Sequence, residues 1–210
     1  MRTVEVQVFK FSELSDKAKE KARDWYREGD DFDPEYEPFE TAAGLLGIDL
    51  TEQRTNRKGK TYTANTIQYS GFSSQGDGAS FTGSYKFVPA CCDTVRENFG
   101  TDTRLWAIAD GLTALHNRLR LLQGGWLSGT ITQQGHYVHK YTMDATATND
   151  VTGDELDLEL SKEFLELMRD FADWIYKGLE QEYDWRQSDE CVDESIESNE
   201  YEFDEDGGPA

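Results

Sequence analysis

The sequence predicts an α+β fold in which about five mostly antiparallel strands, two hairpins plus an N-terminal strand, pack against three to four helices. Short segments with alternating apolar residues, separated by turn-forming residues, indicate the strands. Longer segments with apolar residues every three or four positions indicate the helices. A length of 210 residues with 12% aromatic side chains is sufficient to form a hydrophobic core.

The N-terminal part predicts one strand and two helices. Valines alternate with polar residues over residues 3–11, which indicates a strand. A helix follows, capped by Ser12 or Ser15, and runs to about Glu28. After an acidic loop, a short helix covers residues 39–46.

Two hairpins are predicted in the middle of the chain. The first pairs residues 61–72 with residues 79–87 across a glycine-rich turn, after a basic polar turn at 52–60. The second pairs residues 126–133 with residues 136–146. Period-two spacing of apolar residues supports this interpretation best in the second arm of the first hairpin.

Two long helices complete the predicted fold. Leucine and isoleucine residues recur at steps of three and four over residues 102–123, and Thr101 is a possible N-cap. Residues 154–183 combine a broad apolar stripe with an acidic face. We therefore expect a single domain over residues 1–186, followed by a flexible acidic tail at residues 187–210.

The net charge of −21 is unevenly distributed. Residues 51–143 carry a net charge of +4, whereas residues 144–210 carry 23 acidic and 4 basic side chains, a net charge of −19. A charge of this sign repels phosphate, so direct nucleic-acid binding is not expected. No apolar run approaches the ~20 residues of a membrane span, and the N-terminus lacks a secretory pattern, so we expect a cytoplasmic protein.

The acidic face of the last helix is the first candidate site. Rows of carboxylates could imitate the phosphates of a nucleic acid and occupy a basic groove in a partner protein. The alternative is a solvated surface that keeps the protein soluble. The predicted partner-binding residues are Asp157, Glu163, Glu166, Asp170, Asp173, Glu180, Glu182 and Asp184.

The glycine-rich loop between the arms of the first hairpin is the second candidate site. Its backbone N–H groups and hydroxyls could hold a small anionic or nucleotide-like ligand. The alternative is an ordinary hairpin turn whose glycines adopt positive φ. The predicted ligand-binding residues are Ser73, Ser74, Gln75, Gly76, Asp77, Gly78 and Ser80.

No metal site, cofactor or catalytic group is predicted. The odd number of cysteines, with Cys91 adjacent to Cys92, does not indicate a disulfide framework. His136 and His139 point to opposite faces of a predicted strand, so a zinc site would need residues from distant segments. No nucleophile-elbow pattern is present, and the acids at helical spacing are typical of a solvated face.

Two segments resemble a set of uncharacterised phage and prophage proteins, some of which carry an antitoxin-like label. One is residues 9–22 together with Trp25 and Tyr26, and the other, more distinctive, is residues 70–81, of the type SGFxSQGDGASF. Together they cover about 28 of 210 residues. The resemblance implies a phage or mobile-element origin and supplies no catalytic residues.

These observations favour a non-enzymatic phage-type accessory protein in the host cytoplasm. We expect it to bind and inhibit a basic host protein, such as a defence nuclease or another nucleic-acid enzyme, through its acidic surface. The alternatives are a ligand-binding module centred on residues 73–80, an antitoxin-like partner of a basic toxin, and an enzyme whose cleft is assembled from distant residues. The sequence leaves the oligomeric state open.

Overall fold

The computed structural model describes residues 7–210, and that range contains six α-helices and ten short strands in small antiparallel sheets. The predicted α+β class is confirmed, with more and shorter strands than expected. The helices are α1 (Asp16–Gly29), α2 (Glu37–Leu46), α3 (Cys91–Asn98), α4 (Thr103–Gln123), α5 (Leu158–Gln187) and α6 (Asp189–Ser198). The strands are β1 (Phe9–Lys10), β2 (Ile48–Asp49), β3 (Thr51–Thr55), β4 (Thr61–Asn65), β5 (Gln68–Tyr69), β6 (Ala79–Ser80), β7 (Gly83–Lys86), β8 (Leu127–Gln133), β9 (Met143–Asn149) and β10 (Glu202–Phe203).

The chain forms two compact units. Unit 1 comprises Met1–Pro34 and Leu179–Ala210, and unit 2 comprises Glu35–Gly178. This division differs from the predicted single domain over residues 1–186, because the C-terminal segment folds back onto the N-terminal segment. The boundary falls within α5, so residues 158–178 of this helix belong to unit 2 and residues 179–187 to unit 1.

In unit 1, a small apolar core joins the two ends of the chain. Ser15, one of the two predicted capping residues, caps α1 by accepting a hydrogen bond from the Ala18 N–H at 3.3 Å. The residues that share one face of α1 are buried against α6 and β10. This core contains Phe11, Leu14, Ala18, Ala22, Val192, Ile196 and Phe203.

The predicted flexible tail at residues 187–210 is corrected by the structure. The Ser188 side chain caps α6 by accepting the Cys191 N–H, and Val192 and Ile196 lie one turn apart on its buried face. Phe203 of β10 then pairs with Phe9 of β1. These three apolar anchors, together with ion pairs from Arg23 and Arg27 to Asp189 and Asp193, hold the segment in place, although its composition is typical of a solvated chain.

Residues 3–6 of the predicted N-terminal strand lie outside the described residues. Residues 1–6 are not described, and β1 covers only Phe9–Lys10 before a 3₁₀ turn at Phe11–Glu13.

Unit 2 is built on a four-stranded antiparallel sheet in the order β2-β7-β8-β9. β8 and β9 pair along their whole length, from Leu127 opposite Asn149 to Gln133 opposite Met143. The second predicted hairpin is therefore present. Its return strand begins at Met143 instead of residue 136, because residues 134–142 form a longer connection.

The first predicted hairpin is largely wrong. Residues 61–72 and 79–87 pair only where β5 meets β6, at Gln68 with Ser80 and Tyr69 with Ala79. β4 pairs instead with β3, and β7 pairs with β2 and β8. β3 lies largely within the segment that the sequence predicts as a polar turn. It is not predicted as a strand, because its residues lack the apolar alternation that indicates one.

Helices α4 and α5 supply twelve of the thirty buried hydrophobic residues of unit 2. Asp102 caps α4 by accepting the Leu105 N–H at 2.9 Å, in place of the predicted Thr101. A Cβ on Gly129 of β8 would lie 2.7 Å from the Phe164 ring, so glycine permits the close approach of α5 to the sheet. The buried face of α5 in unit 2 is Leu160, Phe164, Met168, Phe171, Ala172 and Ile175. No helix within residues 7–210 is long and apolar enough to cross a membrane.

Candidate functional site

The glycine-rich loop is closed by its own aspartate. The Asp77 carboxylate accepts the backbone N–H groups of Ser73 at 2.8 Å and Ser74 at 2.7 Å. These are donors that the predicted anion site would have offered to an external ligand. Since an internal carboxylate already occupies them, the anion-binding role of the loop backbone loses its main support.

Gly78 is required by packing against a neighbouring histidine. A Cβ at this position would lie 2.6 Å from the Cδ2 atom of His139. The Nδ1 atom of His139 accepts the Tyr141 N–H at 3.2 Å, which leaves Nε2 as the protonated nitrogen of the neutral ring. No local pattern indicates this contact, because His139 follows the loop by some sixty positions.

A polar cleft of about 110 Å³ lies beside the loop. It brings Asp77 and Gly78 of the predicted ligand-binding set together with Asp173 of the predicted partner-binding set. The remaining loop residues do not line it, and Ser80 is buried and donates to Gln133 at 3.0 Å. The full lining is Asp77, Gly78, Ala79, His139, Lys140, Asp173, Tyr176 and Lys177.

Asp173 is held between two cations. Its carboxylate accepts hydrogen bonds from Lys140 Nζ at 2.9 Å and from an Arg104 guanidinium nitrogen at 2.5 Å. Partial burial raises the pKa of Asp173, but these two partners outweigh it and keep the pKa below its ordinary value. Burial raises the pKa of the neighbouring Asp170, and Lys140 opposes that rise.

The other predicted acids of α5 in unit 2 also have partners. Glu163 contacts Arg118, and Glu166 lies 2.6 Å from Arg169. Asp157 caps α5, since its carboxylate accepts two backbone N–H groups at 3.0 Å each. Most of this acidic face therefore serves the structure of unit 2, which reduces the negative charge available to a partner.

Unit 1 carries the remaining predicted acids and many more. Glu182 lies 2.9 Å from Arg186, and Glu180 also has an interaction of its own. We call residues 180–206 the C-terminal acidic segment. Within it, nine exposed carboxylates form no ion pair with any residue in the described range 7–210: Asp184, Glu190, Glu194, Glu197, Glu200, Glu202, Asp204, Glu205 and Asp206.

A groove of about 240 Å³ lies at the end of α6 in unit 1. Phe11, Ile196 and Tyr201 give it apolar walls, and Glu197 and Glu200 place two carboxylates at the same opening. Its other lining residues are Lys10 and Ser12. The sequence contained a usable indication of α6, since Ser188 is a good N-cap and two apolar residues follow at helical spacing, but none of the groove itself.

Glu200 has an unfavourable backbone conformation. It follows the C-cap Asn199 with φ = 54°, in the left-handed region, where helix termini usually carry glycine. The N–H groups of Glu200 and Tyr201 bond back to Glu197 and Ile196 at 3.1 and 3.2 Å. The chain therefore retains a carboxylate where glycine would fit with less strain.

The cysteines and the buried histidine have structural surroundings. Cys91 is buried, and both Cys91 and Cys92 lie within hydrogen-bond distance of the Thr113 hydroxyl. His116 is buried in α4, and its Nδ1 atom accepts the Leu127 N–H at 3.3 Å. Among the described residues there is no cluster of three or more side chains able to hold a metal ion.

Comparison with known proteins identifies a family. The model described as domain of unknown function (DUF8835) matches residues 32–189, which is more than half of the chain. No curated protein and no solved structure matches the chain. The polar cleft and the β3–β4 hairpin lie inside the matched range, whereas the groove at the end of α6 lies outside it.

Proposed function

We propose that this chain, which belongs to the family of domains of unknown function DUF8835, is a phage-type accessory protein that binds and inhibits a basic host protein. The acidic surface of unit 1 would bind the partner, and inhibition would need no catalytic activity of this chain. The two segments of unit 1 carry 22 acidic and 8 basic side chains. The resemblance of residues 70–81 to phage proteins supports the origin, and the charge supports the class of partner.

The groove at the end of α6 is the observation that carries this proposal. Its apolar walls suit the aliphatic stem of a lysine or arginine, and Glu197 and Glu200 can accept hydrogen bonds from the charged end. A nucleic-acid enzyme presents such side chains along the groove that binds its substrate. The acidic surface would therefore compete with nucleic acid for the same cations.

Exposed aromatic side chains in unit 1 also favour a protein partner. Trp185 is 51% exposed, and Tyr201, at the groove, is 40% exposed. Tryptophan and tyrosine are enriched among the residues that dominate protein–protein binding energy. The surrounding carboxylates would steer a basic partner to these anchors at low salt.

Neutralising the groove tests the proposal. The double variant Glu197→Gln and Glu200→Gln keeps side-chain size and removes two charges. We expect it to capture less of a basic nucleic-acid enzyme from bacterial lysate and to protect the nucleic-acid substrate of that enzyme less well. The matched control, Glu97→Gln with Glu155→Gln, removes two exposed charges from unit 2 and should behave as wild type.

Three results would refute the proposal. One is inhibition by the groove variant that equals inhibition by wild type. Another is capture that persists unchanged at high salt, because an acidic surface depends on unscreened charge. The third is capture of a protein that inhibits growth by itself, which would favour the antitoxin-like alternative.

A small anionic ligand in the polar cleft of unit 2 is the second candidate function. Its supporting observation is the convergence of His139, Lys140 and Lys177 on one cleft in a chain of strongly negative charge. Native mass spectrometry of freshly purified protein, followed by thermal unfolding with inorganic phosphate and a nucleotide panel, tests it. An apo mass together with an unchanged unfolding temperature would exclude this candidate.

A further inference from the structure

The β3–β4 hairpin is a basic projection on an acidic protein. Its strands pair in register from Thr51 opposite Asn65 to Thr55 opposite Thr61, and every residue from 53 to 63 is exposed. A two-stranded hairpin without a buried face is only marginally stable in water. The body of unit 2 gains little apolar burial from the tip, so packing does not account for this hairpin.

The turn of the hairpin is well ordered by its own hydrogen bonds. The Asn56 side chain accepts the backbone N–H groups of Lys58 and Lys60, each at 3.0 Å. Gly59 adopts φ = 76° and donates its N–H to the Asn56 carbonyl at 2.9 Å. The turn is therefore preorganised, and the cations on it need little further ordering to meet a ligand.

The charge of the tip is strongly positive. Arg57, Lys58 and Lys60 lie within four positions, and none of them forms an ion pair with a described residue. Arg54 is partly neutralised by Glu52, the only acid of residues 51–65. The hairpin thus carries a net charge of +3 in a chain whose total is −21.

We propose that the tip of the β3–β4 hairpin binds the phosphate backbone of a nucleic acid. Phosphate contacts are made by arginine, lysine and polar side chains, which is the composition of this hairpin. Tyr62 is 47% exposed and lies directly opposite Arg54, where its ring can stack on an unpaired base. A protein partner is less suitable, because Tyr62 is the only large apolar anchor that the hairpin offers.

The negative total charge does not prevent this contact. Five-residue strands at about 3.4 Å per residue place the turn roughly 17 Å from the base of the hairpin. The screening length at physiological salt is about 8 Å. Carboxylates near the base are therefore largely screened at the tip. The proposal is independent of the proposed function, since it uses none of the acids of unit 1.

Fluorescence anisotropy with labelled random-sequence oligonucleotides tests the proposal. At about 50 mM salt, we expect the full chain to bind single strands, and the variant R57Q/K58Q/K60Q to bind roughly ten- to a hundredfold more weakly. The slope of log affinity against log salt concentration should be shallower for the variant than for the wild type, by the equivalent of about two to three phosphate contacts. The control K17Q/K21Q/K162Q loses the same charge from exposed helical positions and should bind as wild type.

Several outcomes would overturn the proposal. The first is that the wild type does not bind oligonucleotides at low salt. The second is that the wild type and the hairpin variant bind equally well. The third is that the control variant loses as much affinity as the hairpin variant. A further one is concentration-dependent self-association that the hairpin variant abolishes without any oligonucleotide binding, which would make a second copy of this chain the occupant. Circular dichroism and thermal unfolding should match for all three proteins, because the replaced side chains make no hydrogen bond or ion pair with a described residue.

Discussion

Two acidic stretches of this chain have similar composition and different electrostatic environments. In the unit 2 part of α5, Glu163, Glu166 and Asp173 each lie beside an arginine or a lysine. In the C-terminal acidic segment, Glu197 and Glu200 form no ion pair within the described range, although Lys10 lines the same groove. Acids at helical spacing therefore do not reveal whether a carboxylate stabilises the fold or is available to a partner, because that depends on cations brought close by tertiary structure.

The two stretches also differ in what holds them in place. The unit 2 part of α5 buries a continuous apolar face that includes Phe164 and Phe171. The C-terminal acidic segment offsets its own charge repulsion with a few apolar anchors, chiefly Ile196 and Phe203, and with ion pairs from Arg23 and Arg27 to Asp189 and Asp193. A substitution in unit 1 can therefore remove an apolar anchor without changing the charge, or remove a charge without loosening an anchor, more cleanly than a substitution in unit 2.

Phe203→Ala, which removes an anchor of the C-terminal acidic segment, should have the largest effect on stability. Phe203 is fully buried, and its ring lies 6.3 Å from that of Phe11 and 5.7 Å from that of Trp25. Truncating a buried phenylalanine costs about 3–5 kcal/mol. We expect hydrogen exchange of the α6 amides to accelerate strongly while exchange in the β8–β9 pair stays close to wild type.

Tyr137→Ala is the matched control for Phe203→Ala. Tyr137 is 82% exposed, so its truncation should change the free energy of unfolding by less than about 0.5 kcal/mol. Rapid α6 exchange already present in the wild type, with no change on Phe203→Ala, would instead indicate a flexible tail.

The helices show how much of the fold is predictable from local pattern. The predictions of α1 and α4 are close to the structure because their apolar residues repeat on one face and a capping residue precedes each. α6 is not predicted because Val192 and Ile196 are isolated among acids, so composition outweighs a short but correct helical spacing. The strands β3 and β4 are missed or mispaired because threonine-rich exposed strands carry no apolar alternation.

The candidate sites depend even more on contacts between distant residues. The sequence singles out Asp77 and Asp173 as candidates, yet only the fold places both on one cleft with Lys140. Neither local spacing nor charge indicates that the loop amides bind Asp77 itself. The groove at Glu200 likewise requires the two ends of the chain to meet, which no local pattern encodes.

Asp173→Asn should have an intermediate effect on stability. It tests whether the ion-paired acids of α5 in unit 2 stabilise the fold. The substitution leaves Lys140 and Arg104 without their carboxylate, so we expect a loss of about 1–2 kcal/mol near pH 7. Because the pKa of Asp173 lies below its ordinary value, its stabilising contribution is complete above the unfolded-state pKa of about 4 and disappears as pH falls through the folded-state value.

Urea denaturation of wild type and Asp173→Asn from neutral to acidic pH measures this contribution. The difference between the two proteins should be constant near neutrality and should narrow below about pH 4. Glu190→Gln removes an exposed carboxylate that has no ion pair within residues 7–210 and should match wild type throughout. Equal free energies of unfolding for the two proteins at pH 7 would show that the contacts of Asp173 with Lys140 and Arg104 do not stabilise the fold.

Glu200→Gly should have the smallest effect on stability and the opposite sign. Glycine adopts the left-handed backbone at φ = 54° without a Cβ clash, so we expect a gain of about 0.5–1 kcal/mol in the free energy of unfolding of unit 1. Glu200→Gln keeps the Cβ and removes only the charge, so it should leave stability nearly unchanged. Both variants should bind a basic partner more weakly, because both remove a carboxylate from the groove.

The two Glu200 variants together distinguish a structural from a functional carboxylate. A gain in stability accompanied by a loss of binding would mean that the chain accepts backbone strain to keep charge at the groove, as strained residues at binding sites often do. If Glu200→Gly instead destabilised α6, as measured by exchange of its amides, the carboxylate would be contributing to the helix terminus. It would then belong with Asp157 and Asp173, whose role is to hold the fold together.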